Sequence, residues 1–151
     1  MSVPTRWKVL LAALVLGIGA LVLGLPWVLY GLGLQAVEGR PEPPQRIAAL
    51  AVQQQVWQRA GSAGPPEAVA LDPVTYLLSA SVQARPPDIV AFAWRVASDH
   101  SRDHLQRDAG PLRRHLAGAA LTIWLTRHWS VEQLLTRVAE LERPSLVPSP
   151  L

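Results

Sequence analysis

The side chains with the clearest chemical potential in this sequence are histidines, arginines and tryptophans. His100 and His104 are four apart, which on a helix puts both rings on one face. Asp99, Asp103 and Asp108 stand close by. Zinc wants three or four converging ligands. The helical metalloprotease pattern needs Glu directly after the first His, and this chain has Ser101 there. The cluster therefore reads as a solvated polar loop or helix end, with no metal and no cofactor expected. Arg113, Arg114 and Arg127 could form a basic strip suited to a phosphate or an anionic lipid, although a solvated helix face has the same pattern. Trp94, Trp124 and Trp129 could stack on a sugar or lie against lipid, but they stand at helical spacing beside apolar residues and read as core. Trp129, just ahead of a helix start, also suits a hydrophobic staple. His115 has no evident partner. Ser79 and Ser81 lack a Gly-x-Ser-x-Gly context and a His–acid pair. No residue qualifies as catalytic on these grounds.

Composition narrows the classes further. The chain has 151 residues, half of them hydrophobic, and its mean hydropathy of +0.19 is high for a soluble domain of this size. The absence of cysteine excludes a disulfide-stapled fold, a thiolate nucleophile and Cys-ligated metals. The net charge of +3 does not mark a nucleic-acid binder, because beyond residue 37 twelve arginines face eleven acids.

The N-terminal part reads as a membrane segment. From Val9 to Val37 there is no charged residue, and about 20 apolar residues suffice to cross a bilayer. Trp7 stands at one end, Trp27 and Tyr30 at the other. Twenty residues at about 1.5 Å each give roughly 30 Å, the spacing of two interfacial aromatic belts. The expected layout is a cytoplasmic tail at 1–8 and a transmembrane helix at 9–34. A Pro-rich stalk at 35–45, a helical domain at 46–143 and a flexible tail at 144–151 follow. Arg6 and Lys8 precede the span without acids, and a short tail before a long span favours a cytoplasmic N-terminus. A cleaved signal peptide would have a shorter apolar region and a small-x-small site.

The remainder shows helical periodicity and no alternating strand. Arg46–Ala60 carries Ile47, Leu50, Ala51 and Val56 opposite a Gln-rich side. Asp72-Pro73 is a helix start, and the helix is expected to run to about Ala84. Asp88 can cap a helix whose stripe is Ile89, Val90, Phe92, Ala93, Val96 and Ala97, with a polar stretch from Ser98 to Gly110 behind it. Pro111–His128 follows, with Leu112, Leu116, Ala119, Ala120, Ile123 and Trp124 on one side. Ser130 to Gln133 forms a capping box for a last helix carrying Val131, Leu134, Leu135, Val138 and Leu141. The expectation is an all-α chain, one N-terminal transmembrane helix plus a small domain of about five helices.

The order of these segments resembles the peptidoglycan glycosyltransferase family, the transglycosylase domain of class A penicillin-binding proteins and monofunctional transglycosylases. The stretch Pro111–Leu135 carries the resemblance, with Arg114, Leu116, Ala119, Leu121, Trp124, Leu125, Arg127, Ser130, Leu134 and Leu135 on comparable positions. Asp72-Pro73 looks like the Asp-Pro that follows the family's first motif, and Val96-Ala97 like the Leu-Ala that closes its second. The resemblance implies a lysozyme-like helical fold, degenerate and truncated. The family's two catalytic Glu positions fall on Gly61 and Gly118, which cannot transfer a proton. Glu67 is the one acid near the first position. On this reading the chain is a non-catalytic, inner-membrane protein with a periplasmic domain. Its expected partners are the lipid bilayer and either a membrane protein or a lipid-linked cell-wall precursor. The alternative is an accessory or immunity-type subunit unrelated to cell-wall enzymes. An active glycosyltransferase is the reading the residues favour least.

Overall fold

The computed structural model describes residues 5–81 and 86–142. The first four residues, the expected helix end near Ala84 and the expected tail at 144–151 lie outside them. The fold is all-helical, with α1 (Thr5–Gln35), α2 (Leu50–Arg59), α3 (Pro73–Ser81), α4 (Asp88–His104), α5 (Pro111–His128) and α6 (Val131–Glu142). Among the described residues the nearest thing to a sheet is one antiparallel bridge between Val37 and Leu105.

Helix α1 is long and apolar enough to cross a membrane, and it holds Pro26 without breaking. It has two parts. From Arg6 to Leu25 almost every side chain is exposed. From Pro26 onward the helix joins the domain, where Pro26 and Gly33 are buried. Gly33 explains the close approach to α5. A Cβ there would lie 2.3 Å from the Leu116 carbonyl oxygen and 2.7 Å from the Ala120 Cβ. Only a hydrogen fits between these helices.

Helix α5 is the axis of the domain, packed against α1 on one side and α4 on the other. The expected stripe of Leu116, Ala119, Ala120 and Ile123 faces α1 and α3. Ala117, Leu121 and Leu125 are also fully buried, so the helix is apolar around most of its girth. Leu112, assigned to the same stripe, is instead 71% exposed, because at the helix start it edges an open hollow beside the end of α1. The main core joins Val96 and Ala97 of α4, Leu121 and Leu125 of α5, and Leu134, Leu135 and Val138 of α6. Each fully buried Leu contributes about 1.5–3 kcal/mol relative to exposure.

Three expected segments differ in detail. The span at 9–34 gives its last turns to the domain core. The stalk at 35–45 is not free-standing. Ala36, Val37 and Pro41 are buried, the Glu38 N–H donates to the His104 carbonyl, and the Gln106 N–H donates to the Ala36 carbonyl. Proline and glycine set backbone stiffness, but not whether an extended strip finds a wall to lie on. Ile47, ahead of α2, and Leu50 at its start are exposed, while Gln53, Val56 and Trp57 of α2 are buried. The ring of Trp57 stacks on Phe92 at 5.4 Å, and its Nε1 donates to the Gly64 carbonyl. That large ring sets which face of the short helix turns inward.

Helix starts follow the sequence closely. Asp72 Oδ1 accepts from the Val74 and Thr75 N–H groups ahead of Pro73. At α6 the Ser130 N–H donates to Gln133 Oε1, and the Gln133 N–H donates to Ser130 Oγ. This is the reciprocal capping box. Trp129 and Leu134 enter the same core, as a staple would have them. Asp88 lies inside the first turn of α4, where its charge suits the positive helix end, and no side chain caps that helix at Pro87.

Candidate functional site

The three arginines expected on one strip take separate places. Successive helix residues are about 100° apart, so Arg113 and Arg114 diverge while Arg113 and Arg127 share a side. Arg113 lines a hollow with Leu29, Leu32 and Gln35 at the end of α1. Arg114 turns toward α4. Arg127 lies with its guanidinium carbon 5.8 Å from the centre of the Trp27 ring, and its Nη1 donates to the Leu71 carbonyl. Arg127 is thus about 20 Å along the helix from Arg114.

These contacts also fix direction. Gly33 meets Leu116 and Ala120, whereas Trp27, earlier in α1, meets Arg127, later in α5. The two helices are antiparallel. The C-terminal end of α5 therefore points toward the exposed apolar part of α1. At that end Trp27 and Tyr30 pack edge to face at 6.0 Å, and the Trp124 and His128 rings stack at 4.5 Å. Trp7 stands at the opposite end of α1, where it is exposed.

Arg114 opens onto a cleft of about 530 Å³ between α4 and α5. Trp94, Ser98, Ser101 and Arg102 come from one face of α4, and Leu105 from the residue that ends it. Arg114, His115 and Gly118 come from α5. Every ionisable side chain lining this cleft is basic. Trp94 is 43% exposed and lays its ring over Gly118, where an added Cβ would be 3.0 Å from the indole. The expectation of Trp94 as core is therefore corrected: its ring is a wall of the cleft, half open to solvent. Trp129 is buried as expected, and Trp124 is partly buried. The Ser101 hydroxyl is buried without a hydrogen-bond partner among the described residues. Guanidinium groups with adjacent hydroxyls are suited to phosphate or carboxylate oxygens, and the indole face is suited to an apolar or ring-shaped part.

The histidine pair lies elsewhere. His100 and His104 stack at 4.0 Å on one side of α4, and they edge a cavity of about 580 Å³ beneath residues Pro41 to Arg46. Asp99, Asp103, Arg137 and Glu140 complete its wall, so its charge is mixed. Burial, and then the neighbouring His104, hold the His100 imidazolium below its usual pKa. No group of three or more ligand side chains that could hold a metal occurs among the described residues.

The positions where the resemblance would put carboxylates have clear structural occupations. Gly61 forms the turn after α2 with φ +71°, a conformation glycine tolerates best. Gly118 lies beneath the Trp94 ring. Glu67 is exposed in the connection between α2 and α3. Leu71 is tied to the end of α5 by two bonds, its N–H donating to Thr126 Oγ1 and its carbonyl accepting from Arg127. Ser79 Oγ donates to the Tyr76 carbonyl within its own helix, which leaves it no sign of activation as a nucleophile.

No family model matches the chain, and neither a curated protein nor a solved structure matches it significantly.

Proposed function

We propose that this chain is a membrane-anchored, non-catalytic accessory subunit. It presents the α4–α5 cleft to an anionic group on a partner or ligand. The observation that carries the reading is the seam at Gly33. The apolar anchor helix runs without interruption into the domain core, so membrane segment and domain form one unit. A subunit that must hold a binding face in fixed relation to a membrane needs such rigidity. The cleft adds the chemistry of binding, with arginines and an open indole suited to an anionic, ring-bearing group.

The reading includes an N-terminus on the cytoplasmic side and, in a bacterial cell, an inner-membrane location with the domain in the periplasm. Arg6 and Lys8 support that orientation. Gly118 packed beneath Trp94 and Gly61 held in a turn provide no acid, which counts against an active transglycosylase.

The test uses the full chain in nanodiscs with purified lipid-linked disaccharide precursor. Expected are no glycan polymer and no precursor binding that depends on Arg114. Precursor binding lost in Arg114→Glu would restore the transglycosylase-like reading. Polymer formation would overturn the non-catalytic assignment. Alkaline extraction of native membranes checks the anchor, and the protein is expected to stay in the pellet.

A further inference from the structure

Helix α3 carries two leucines that are about half exposed. Leu77 and Leu78 are 48% and 57% exposed, side by side on a nine-residue helix. Their position is specific. Leu77 and Tyr76 border a small apolar cavity with Pro26, Leu29 and Tyr30 of α1 and with Ile123 of α5. Helix α3 therefore stands beside α1 at the point where α1 leaves the domain. Trp27 and Val28 are also exposed at this level, and Arg127 covers the Trp27 ring.

The length of α1 supplies the second argument. Its exposed stretch runs from Arg6 to Leu25, and twenty residues at about 1.5 Å each span roughly 30 Å. That is the thickness of the hydrocarbon layer. When this stretch fills the layer, Pro26 marks its edge, and α3 lies against it. Exposed leucines, an aromatic pair and an arginine at that depth form the combination that suits a membrane–water boundary.

We infer that α3 lies in the interfacial layer of the bilayer, with Leu77 and Leu78 among the first acyl carbons. The inference rests on α1 being a membrane anchor. The occupant of this surface is lipid, because the apolar face is continuous with the exposed face of α1. The domain then rests on the membrane instead of swinging above it. Gly118 and Arg114 stand about 14 and 20 Å farther along α5 than Arg127, so the cleft is held clear of the headgroups. Its ligand must come from the aqueous side or from a partner that rises to that height.

The natural lack of cysteine makes the test direct. Leu16→Cys, Leu78→Cys and Leu112→Cys variants of the full chain, each labelled with an environment-sensitive fluorophore, are reconstituted into phosphatidylcholine–phosphatidylglycerol vesicles. Lipids carrying a nitroxide at a shallow or a deep acyl position act as quenchers. All three side chains are exposed, so the fold should tolerate the label, and circular dichroism checks this. Expected are quenching of position 16 by the deep probe, at least twofold quenching of position 78 by the shallow probe, and none at position 112. Quenching at 16 but not at 78 would overturn the seating of α3 and leave the anchor intact. Loss of quenching at 16 would overturn the anchor and the inference with it. A label at 78 shielded from both lipid nitroxide and aqueous iodide, and released by dilution in lipid, would assign the surface to a second copy and overturn the inference.

Discussion

Gly33 shows how one missing side chain can decide an arrangement. Leucine at this position would drive a Cβ into the Leu116 carbonyl and force α1 off α5. Gly33→Leu is expected to cost about 3 kcal/mol or more, the upper range for overpacking a tight site. Gly24→Leu, in open space on the same helix, should cost nothing measurable. Denaturant unfolding of both in the same detergent checks the contrast. His100 gives a pH prediction. Its imidazolium is disfavoured in the fold, so the unfolded chain takes up a proton first as pH falls. Stability should be full above the unfolded histidine value of about 6.5 and decline as pH drops through it toward the lower folded value. Glu42, Asp99, Asp103 and Glu140 face this region, as do Arg40, Arg46, Arg137 and His104, and their charges shape the remainder of the profile. His100→Gln should flatten the decline between pH 7 and 5, as measured by thermal unfolding. Asp72 has the opposite charge type but the same slope. Its bonds to Thr75 hold its carboxyl below the usual range, so that contribution is present above the unfolded carboxylate value and lost in stronger acid.

At the scale of elements, the caps were legible and the faces were less so. The boundaries of α5 and α6 match the sequence because Pro111 and the Ser130–Gln133 box are local signals. Ser130→Ala should therefore destabilise the domain by about 1 kcal/mol. The same substitution at Ser98, on the cleft wall, should leave the melting temperature unchanged. Helix α4 runs to His104, six residues beyond the start of the stretch expected to be polar connection. A polar helix end and a polar loop have the same composition, and only the docking of Ala36 to Glu38 against residues 104–106 shows where the helix stops. The cleft itself was half visible. Arg114 and Trp94 were singled out as residues, but nothing in a linear pattern says that Gly118 lets the indole lie flat and brings the two together. Arg114→Glu should leave stability within about 0.5 kcal/mol, since that side chain is exposed, whereas Trp94→Ala should cost about 1.5 kcal/mol by stripping the ring from Gly118.

For the whole molecule, the consequence is that the long apolar helix and the rest of the domain stabilise each other. Removal of residues up to 35 would uncover Leu116, Ala119, Ala120 and Ile123 on α5. Each large apolar side chain returned to water costs about 1.5–3 kcal/mol, a large share of the stability of a domain this small. A chain of residues 36–142 is expected to aggregate or to lose cooperative unfolding, which size-exclusion chromatography and calorimetry would reveal. The ion pairs of Glu142 with Arg59 and Arg95 bind α2, α4 and α6 together, but their arginines are more than half exposed, so they offset little of that loss. The sequence by itself determined the all-helical class, the long apolar segment and the helix starts, because periodicity, hydropathy and capping are read within a few residues. Tertiary structure alone decided that the end of the apolar helix is domain core, that the Pro-rich strip is docked, and that the arginines part company. Those outcomes depend on which surfaces meet across tens of residues, and an apolar turn has the same sequence whether lipid or α5 covers it.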